Sequence, residues 1–458
     1  MTRLALAVCL LLVACAGPAA DVTTTTTRVT LPPVTTSIPP VQVQLEDCDQ
    51  PPVTFSALCE SFELLSDWHV DRPVDLAGLA ALARDALTAG MPDDLPQAEP
   101  PRTLFCAIPG QQFSPFCDDL ADLIQEKRVD VRAVMDVVVT TAIEGAYGPF
   151  TYYLPPDQIT GIRDNGIVGG LGILLDATNA VGSKCARLGP TCPLRIVTTL
   201  DDNPGKEAGL EPGDVILEVD GVPVDGQGFA ATAAQIAGDE TGTVTLLIER
   251  RGDRIEFTIT REHLVVPTVT SGIVDDGVAY MRIPDFESDV PDLVDEAFES
   301  LGTGWSTMVV DLRDNPGGFI FSVVEVASEF IPEGPLFLED ETGELLPVDS
   351  VGTGGRGADG RLIVLVNEGT ASAAEILAGA LRDRRGAVVI GAPTFGKDAV
   401  QIRFDLRNGG RLDVQVAHWL TPDGTSVGNG GLIPDVELEL THDMTVSQLV
   451  QAALGAAP

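Results

Sequence analysis

The feature that most restricts the fold is the spacing of apolar residues, which changes twice along the chain. Between Cys48 and Gln158 it is helical in places: Val74 to Leu82 and Val131 to Ala146 place apolar residues three and four apart. Between residues 165 and 262, short apolar strands at Leu194 to Val197, Val215 to Val219 and Val244 to Ile248 alternate with Gly and Pro turns. One helical stretch, Phe229 to Ala237, interrupts them. From about Leu264, strands and helices alternate: Thr307 to Leu312 reads as a strand, Phe321 to Phe330 as a helix, Leu362 to Val366 as a buried strand, Ala373 to Arg384 as a helix and Val388 to Ile390 as a strand. The Gly-rich patch Gly352 to Gly360 reads as an exposed loop. Such alternation predicts an α/β domain, and 458 residues are too many for one ordinary core. The predicted architecture is multidomain α+β: a mainly helical region over 48–164, a β-rich domain over 165–262, an α/β domain over 263–440 and a C-terminal helix over 441–458.

The chain begins with Arg3 and the apolar run Leu4 to Ala14, followed by Cys15. Eleven apolar residues are too few to span a bilayer, which takes roughly twenty, but they suit the core of an export signal. Leu12-Val13-Ala14 directly before Cys15 resembles the bacterial lipobox, which implies that residues 1–15 are a lipoprotein signal segment in which Cys15 is lipidated and becomes the mature N-terminus; a plain cleaved signal peptide is the alternative. Residues 16–47, rich in Thr and Pro, read as a disordered tether. No later segment reaches transmembrane length. The expected place is the bacterial cell envelope, on the extracytoplasmic face of a membrane as a lipoprotein, or secreted, with the membrane touched only through the N-terminal lipid.

Six further cysteines, Cys48, Cys59, Cys106, Cys117, Cys185 and Cys192, fall into local pairs 11, 11 and 7 residues apart. None has the Cys-x-x-Cys spacing of a zinc site, so the reading is three disulfides in an oxidising compartment, with the connectivity open. No metal and no cofactor is called for. Lys and Arg total 28 against 68 Asp and Glu, a balance that repels phosphate backbones and excludes nucleic acid as a partner.

Three segments carry candidate chemistry. Thr370-Ala371-Ser372-Ala373-Ala374-Glu375 leads from the strand Leu362 to Val366 into a helix. Ser372 with Glu375 fits the capping box Ser-x-x-Glu, yet a serine at a helix N-terminus also has free N–H groups beside it, which an oxyanion needs. In Gly396-Lys397-Asp398-Ala399-Val400-Gln401 the alternation of Val400, Ile402, Phe404 and Leu406 predicts a strand with Lys397, Ala399, Gln401 and Arg403 on its polar face and Asp398 on the other. An exposed lysine with a pKa near 10.4 is a poor base, but burial depresses that value and yields an amine able to take a serine proton. Gly391 to Lys397 matches a P-loop up to its last residue; Asp398 stands where Ser or Thr should bind magnesium and a strand follows, so nucleotide binding is excluded. The third segment, Val309 to Gly318, runs from a strand into the turn Asn315-Pro316-Gly317-Gly318. With only His69, His263, His418 and His442 and no Gly-x-Ser-x-Gly elbow, a hydrolase here requires a base other than histidine.

In the β-rich region, successive N–H groups of Gly170-Leu171-Gly172-Ile173 could hold a carboxylate. Asn203 to Ile216 followed by Val219-Asp220-Gly221, with Ile236-Ala237-Gly238 and Thr241 to Leu246, resembles the PDZ domain in its bacterial protease-associated form. That implies capture of protein C-termini as an added strand, the carboxylate resting in the loop Gly170 to Ile173; the Cys185 to Cys192 segment departs from the family as an insertion. The three chemical segments in this order, with Thr421 to Gly424 and Gly431 to Asp435, resemble the carboxy-terminal processing peptidases, the tail-specific Ser–Lys proteases of family S41. The resemblance implies a crotonase- and Clp-protease-like α/β domain and a serine endopeptidase. Ser372 would be its nucleophile, Lys397 its base, and Gln401 would orient the lysine. The amides of Gly318 and Ala373 would form the oxyanion hole. An activating adaptor and a homo-oligomer are both compatible with it. The rival reading is a surface-tethered, non-catalytic peptide-binding scaffold.

Overall fold

A computed structural model describes residues 40–458 apart from 90, 93–94, 160–166, 169, 180–183, 201–202, 239–241, 263–268, 276, 353–354, 358, 429 and 442–443. Residues 1–39, which include the apolar run read as an export signal, Cys15 and most of the Thr/Pro segment, together with His263 and His442, lie outside the described residues. The segment read as a tether to residue 47 ends earlier: Gln42–Glu46 is a strand, paired in parallel with Thr103–Ala107.

The apolar runs of the third region are buried on both faces, as parallel strands require. They form a six-stranded sheet in the order Thr270–Asp275, Val278–Arg282, Thr307–Asp311, Arg361–Val366, Val388–Gly391, Val436–Glu437, parallel except for the first pair. The helices Val290–Leu301, Ile320–Phe330 and Ala373–Arg385 bury their apolar faces against one side. The C-terminal helix Val446–Ala456 covers the other side with Leu449, Val450 and Ala453, and Thr445 caps it. Gly357, in the patch read as an exposed loop, is buried; a Cβ there would come within 2.4 Å of the Phe330 ring.

A second, antiparallel sheet joins Glu344–Asp349, Pro335–Glu341, Arg411–Leu420 and Ala399–Asp405, and Tyr152–Leu154 adds to it beside Arg411–Leu420. The N-terminal helices Val53–Trp68, Leu76–Ala89, Ser114–Lys127 and Val131–Tyr147 share a core with Leu412 and Val414 of this sheet and with Leu406, which follows the strand Ala399–Asp405. Two disulfides, Cys48–Cys59 and Cys106–Cys117, staple that helical region. The β-rich region is a seven-stranded sheet containing Ile173–Ala177, Leu194–Thr199, Val215–Val219, Gly242–Arg250 and Asp253–Arg261, over which the helix Phe229–Ala237 lies. Cys185–Cys192 closes its insertion.

The helical and β-rich regions meet at a buried carboxylate. Glu144, on Val131–Tyr147, accepts from the Ala230 and Ala231 amides at the N-terminus of Phe229–Ala237. Its Oε1 has no hydrogen-bond partner. The contact needs Gly228, where a Cβ would stand 1.8 Å from Glu144 Oε2. Burial pushes the Glu144 carboxyl up to about 8, with Arg187 and the two amides opposing. A carboxyl that holds its proton more tightly folded than unfolded adds stability that is complete below its ordinary value of 4.5 and lost as pH rises through about 8. The slope in that window reaches about 1.4 kcal/mol per pH unit. Glu144→Gln should therefore flatten the decline in unfolding free energy between pH 5 and pH 8, measured by urea titration; identical slopes in both proteins would refute the assignment.

Candidate active site

Ser372 stands between the strand Arg361–Val366 and the helix Ala373–Arg385 with φ 53° and ψ −120°, a conformation that costs a non-glycine residue on the order of 1–3 kcal/mol. The turn around it is held from several sides. The Thr370 hydroxyl donates to the Leu312 carbonyl (2.8 Å), the Ala371 amide to the Asn315 carbonyl (2.8 Å) and the Ser372 amide to Glu375 Oε2 (2.8 Å). The Glu375 amide closes toward the Ser372 side chain as in a capping box, but its hydrogen bond goes to the Ser372 carbonyl (2.8 Å), and the hydroxyl accepts no capping hydrogen bond. Ala373 is the first residue of the helix, so its amide has no intrahelical acceptor.

Opposite lies the turn after Thr307–Asp311. Asp311 is fully buried and takes Arg313 through both of its oxygens (2.9 and 2.7 Å) and the Tyr280 hydroxyl (2.8 Å). Asn315 ties the turn to the Ile283 carbonyl (2.8 Å) and accepts from the Gly317 amide (2.8 Å). Gly317 has φ 97°, and a Cβ on it would stand 2.8 Å from Ser372 Cβ and 3.0 Å from the Ala373 nitrogen. Gly318 has φ 152°, and a Cβ there would meet the Phe286 carbonyl at 2.4 Å. Glycine at the first place lets this backbone lie directly against Ser372 and Ala373, and at the second against the Phe286 backbone.

The third segment is tied to the first by Glu375. Its carboxylate is fully buried. Oε2 accepts from both the Ser372 amide (2.8 Å) and the Lys397 amide (2.9 Å), while Oε1 accepts from the Gly396 amide (2.8 Å) and the Thr394 hydroxyl. Burial pushes this carboxyl up, and the four donors pull against that. Lys397 is not on the strand: Ala399–Asp405 begins two residues later, and its register against Arg411–Leu420 shifts between Val400 and Gln401. Lys397 therefore lies outside the strand whose polar face it was expected to share, and the residue left unpaired at the shift, Val416, belongs to the partner strand. Lys397 and Gln401 nevertheless line one cavity of about 90 Å³, with Phe395, Pro316 and Ala371, and Gln401 donates to the Phe150 carbonyl (2.8 Å). Asp398 turns to His418 (3.1 Å), a hydrogen bond that holds that imidazole above its usual value.

Across the same cavity stand Leu174, Leu175, Phe229, Ala230 and Ala233 of the β-rich region. Lys184, next to the insertion disulfide, places its ammonium 3.3 Å from the centroid of the Phe395 ring and 2.8 Å from Asp176. Burial holds its pKa below the usual lysine value, against Asp176. In the loop Gly170 to Ile173, Leu171 and Ile173 are fully buried. Gly170 and Gly172 have φ 76° and 65°, and a Cβ on Gly172 would stand 2.5 Å from Asn203. The edge of Ile173–Ala177 beyond that loop is partly taken by Ile167–Val168 of the same chain, paired antiparallel with it.

Sequence reasoning missed three of these features. Glu375 was legible only as a cap partner; Lys184 and the Phe150 carbonyl carried no local signal. Among the described residues, no group of three or more His, Cys, Asp or Glu is placed to hold a metal ion, and no helix is long and apolar enough to cross a membrane.

Comparison with known proteins gives two domain matches: the peptidase family S41 over residues 277–438 and the PDZ domain over residues 196–250. The chain is 33% identical over 299 residues to the chloroplastic carboxyl-terminal-processing peptidase 2 of Arabidopsis thaliana, an alignment spanning 63% of this chain and 57% of that protein. It is 33% identical over 302 residues to the carboxyl-terminal-processing protease of Synechocystis sp., covering 64% of this chain and 68% of that one. The chain thus spans less than two thirds of the first of these relatives. Among solved structures, the photosystem II D1 C-terminal processing protease superposes with a TM-score of 0.61 at 24% identity, over 84% of this chain and 93% of the other; that likeness concerns the fold.

Proposed function

The chain belongs to peptidase family S41, the carboxyl-terminal-processing peptidases, and from that premise we propose that it is an exported serine endopeptidase that captures protein C-termini in its PDZ domain and cuts with a Ser–Lys pair. The observation that carries the reading is the shared oxygen of Glu375, which ties the Ser372 and Lys397 amides together beside Gly317.

In this proposal Ser372 Oγ attacks the scissile carbonyl. Lys397, as the free amine, takes the hydroxyl proton and returns it to the leaving nitrogen, so the acyl-enzyme forms as the peptide C–N bond breaks. Water then attacks the ester, with the same amine taking its proton and restoring Ser372. Gln401, anchored on the Phe150 carbonyl (2.8 Å), keeps the lysine side chain turned into the cavity. The Gly318 and Ala373 amides receive the oxyanion, where one donor is worth roughly 3–4 kcal/mol of barrier. The crotonase- and Clp-protease-like arrangement of the α/β part, domain limits at residues 164, 262 and 440, and attachment through Cys15 belong to the same proposal.

Recognition of a chain end is tested with two forms of one unfolded substrate with an apolar C-terminus, one with a free carboxylate and one amidated. The free form should be cut about tenfold more efficiently, since the carboxylate's contacts with the loop Gly170 to Ile173 amount to about 1.4 kcal/mol. Equal cleavage would remove the PDZ domain from substrate choice. No cleavage of either would favour a peptide-binding scaffold.

A further inference from the structure

Asp314 stands in the turn between Arg313 and Asn315, and it is the point where three parts of the molecule meet. It is 8% exposed and adopts φ 60°, a left-handed conformation that an aspartate tolerates better than most residues. Its amide donates to Asn367 Oδ1 (2.8 Å), and its Oδ1 accepts from Asn367 Nδ2 (2.9 Å). Asn367 opens the loop that leads to Ser372, and its Oδ1 also accepts from the Gly369 amide (3.1 Å). A Cβ on Gly369 would stand 2.9 Å from Asp314 Cα. Asp314 thus clamps the turn carrying Gly317 and Gly318 to the loop carrying Ser372.

The third partner comes from the peptide-binding domain. Thr198, 1% exposed, donates its hydroxyl to Asp314 Oδ1 at 2.8 Å across 116 residues of sequence. Thr198 is the penultimate residue of the strand Leu194–Thr199, where it pairs with Leu174, and the register of that pairing shifts between Leu174 and Leu175. Leu174 follows Ile173 of the carboxylate loop and lines the cavity shared with Lys397. Only one residue pair therefore separates the strand that would receive a peptide from the hydroxyl that holds the oxyanion turn.

We propose that Thr198 is a positioning residue for peptide hydrolysis: through Asp314 its hydroxyl sets the turn that presents Gly318 to the oxyanion, so the state of the peptide groove is felt at the reacting carbonyl. This rests on the protease reading above. The hydrogen bond joins a hydroxyl to a buried carboxylate, the kind whose loss is felt most, and a small displacement of catalytic geometry has a large effect on rate.

The test compares full-length wild-type protein with Thr198→Val and Thr198→Ser on the free and amidated substrates. Thr198→Val keeps the side-chain shape and removes the donor. It should lower kcat about tenfold with KM unchanged, and it should abolish any kcat advantage of the free tail. Thr198→Ser should restore both to within about twofold. Amide exchange over residues 312–319 reads the same coupling without turnover: it should rise about tenfold in Thr198→Val and not in Thr198→Ser. Unchanged kcat and exchange in Thr198→Val, or equal losses in the valine and serine variants, would overturn the proposal. If the wild-type protein cuts nothing, the protease reading fails, and the exchange measurement still decides whether Thr198 holds the turn.

Discussion

Replacing Lys397 with methionine is expected to lower kcat by about a thousandfold or more, within the range for losing the group that moves the proton. Methionine keeps an unbranched chain of similar length in the cavity lined by Phe395, Pro316 and Ala371, so packing changes little and the missing group is the amine. Ser372→Ala should remove turnover to the same floor, and the double variant should be no slower than either, because residues that act as one unit lose their effect together. The stability of Ser372→Ala separates nucleophile from cap. A serine that caps its helix loses about 1 kcal/mol on truncation. The Ser372 hydroxyl makes no capping hydrogen bond, so urea unfolding should move by less than about 0.5 kcal/mol while activity vanishes. Turnover above a tenth of wild type in Lys397→Met would remove the lysine from its role. A stability loss in Ser372→Ala with activity intact would return Ser372 to being a cap.

What could be read from the sequence was what local patterning encodes. The strands Thr307–Asp311 and Arg361–Val366 were legible as short apolar runs ending in turn residues, and the start of Ala373–Arg385 was legible from Ser372 and Glu375 three residues apart. The register shift opposite Val400 and Gln401 was not, because the extra residue, Val416, lies in Arg411–Leu420, a strand that alternation within Ala399–Asp405 cannot see. The buried side of Gly357 was hidden for the same reason: it depends on Phe330, reached only through tertiary packing. Glu375 shows the limit most clearly. The contact from the Ser372 amide satisfied the local rule, so nothing in the spacing announced partners at Gly396 and Lys397, more than twenty residues on.

Those distant partners give the other large expectation. Glu375→Gln should reduce kcat by about a hundredfold with KM little changed, because it keeps the volume but cannot keep the geometry. Each carboxylate oxygen accepts from two donors: Oε2 from the Ser372 and Lys397 amides, Oε1 from the Gly396 amide and the Thr394 hydroxyl. A carboxamide has one acceptor oxygen, so its NH2 must face one of these pairs. Turned toward Ser372 and Lys397, it pushes both segments off the atom they share. Turned toward Thr394, it meets a hydroxyl that can rotate, but the Gly396 amide is left facing a donor beside Lys397. Either arrangement leaves at least one buried N–H unsatisfied, a loss of about 1–3 kcal/mol of stability, and a displacement near 1 Å at the reacting groups is enough for the hundredfold fall. The hydrogen bonds of Glu375 go to Ser372, Lys397, Gly396 and Thr394, none of them in the loop Gly170 to Ile173 proposed to hold the C-terminal carboxylate, so tail binding measured by fluorescence anisotropy should stay within about twofold. A Glu375→Gln protein that is less stable yet turns over at the wild-type rate would show that Glu375 only builds the helix start. A fall in kcat with tail binding intact would show that the two segments act as a pair because this carboxylate holds them as one.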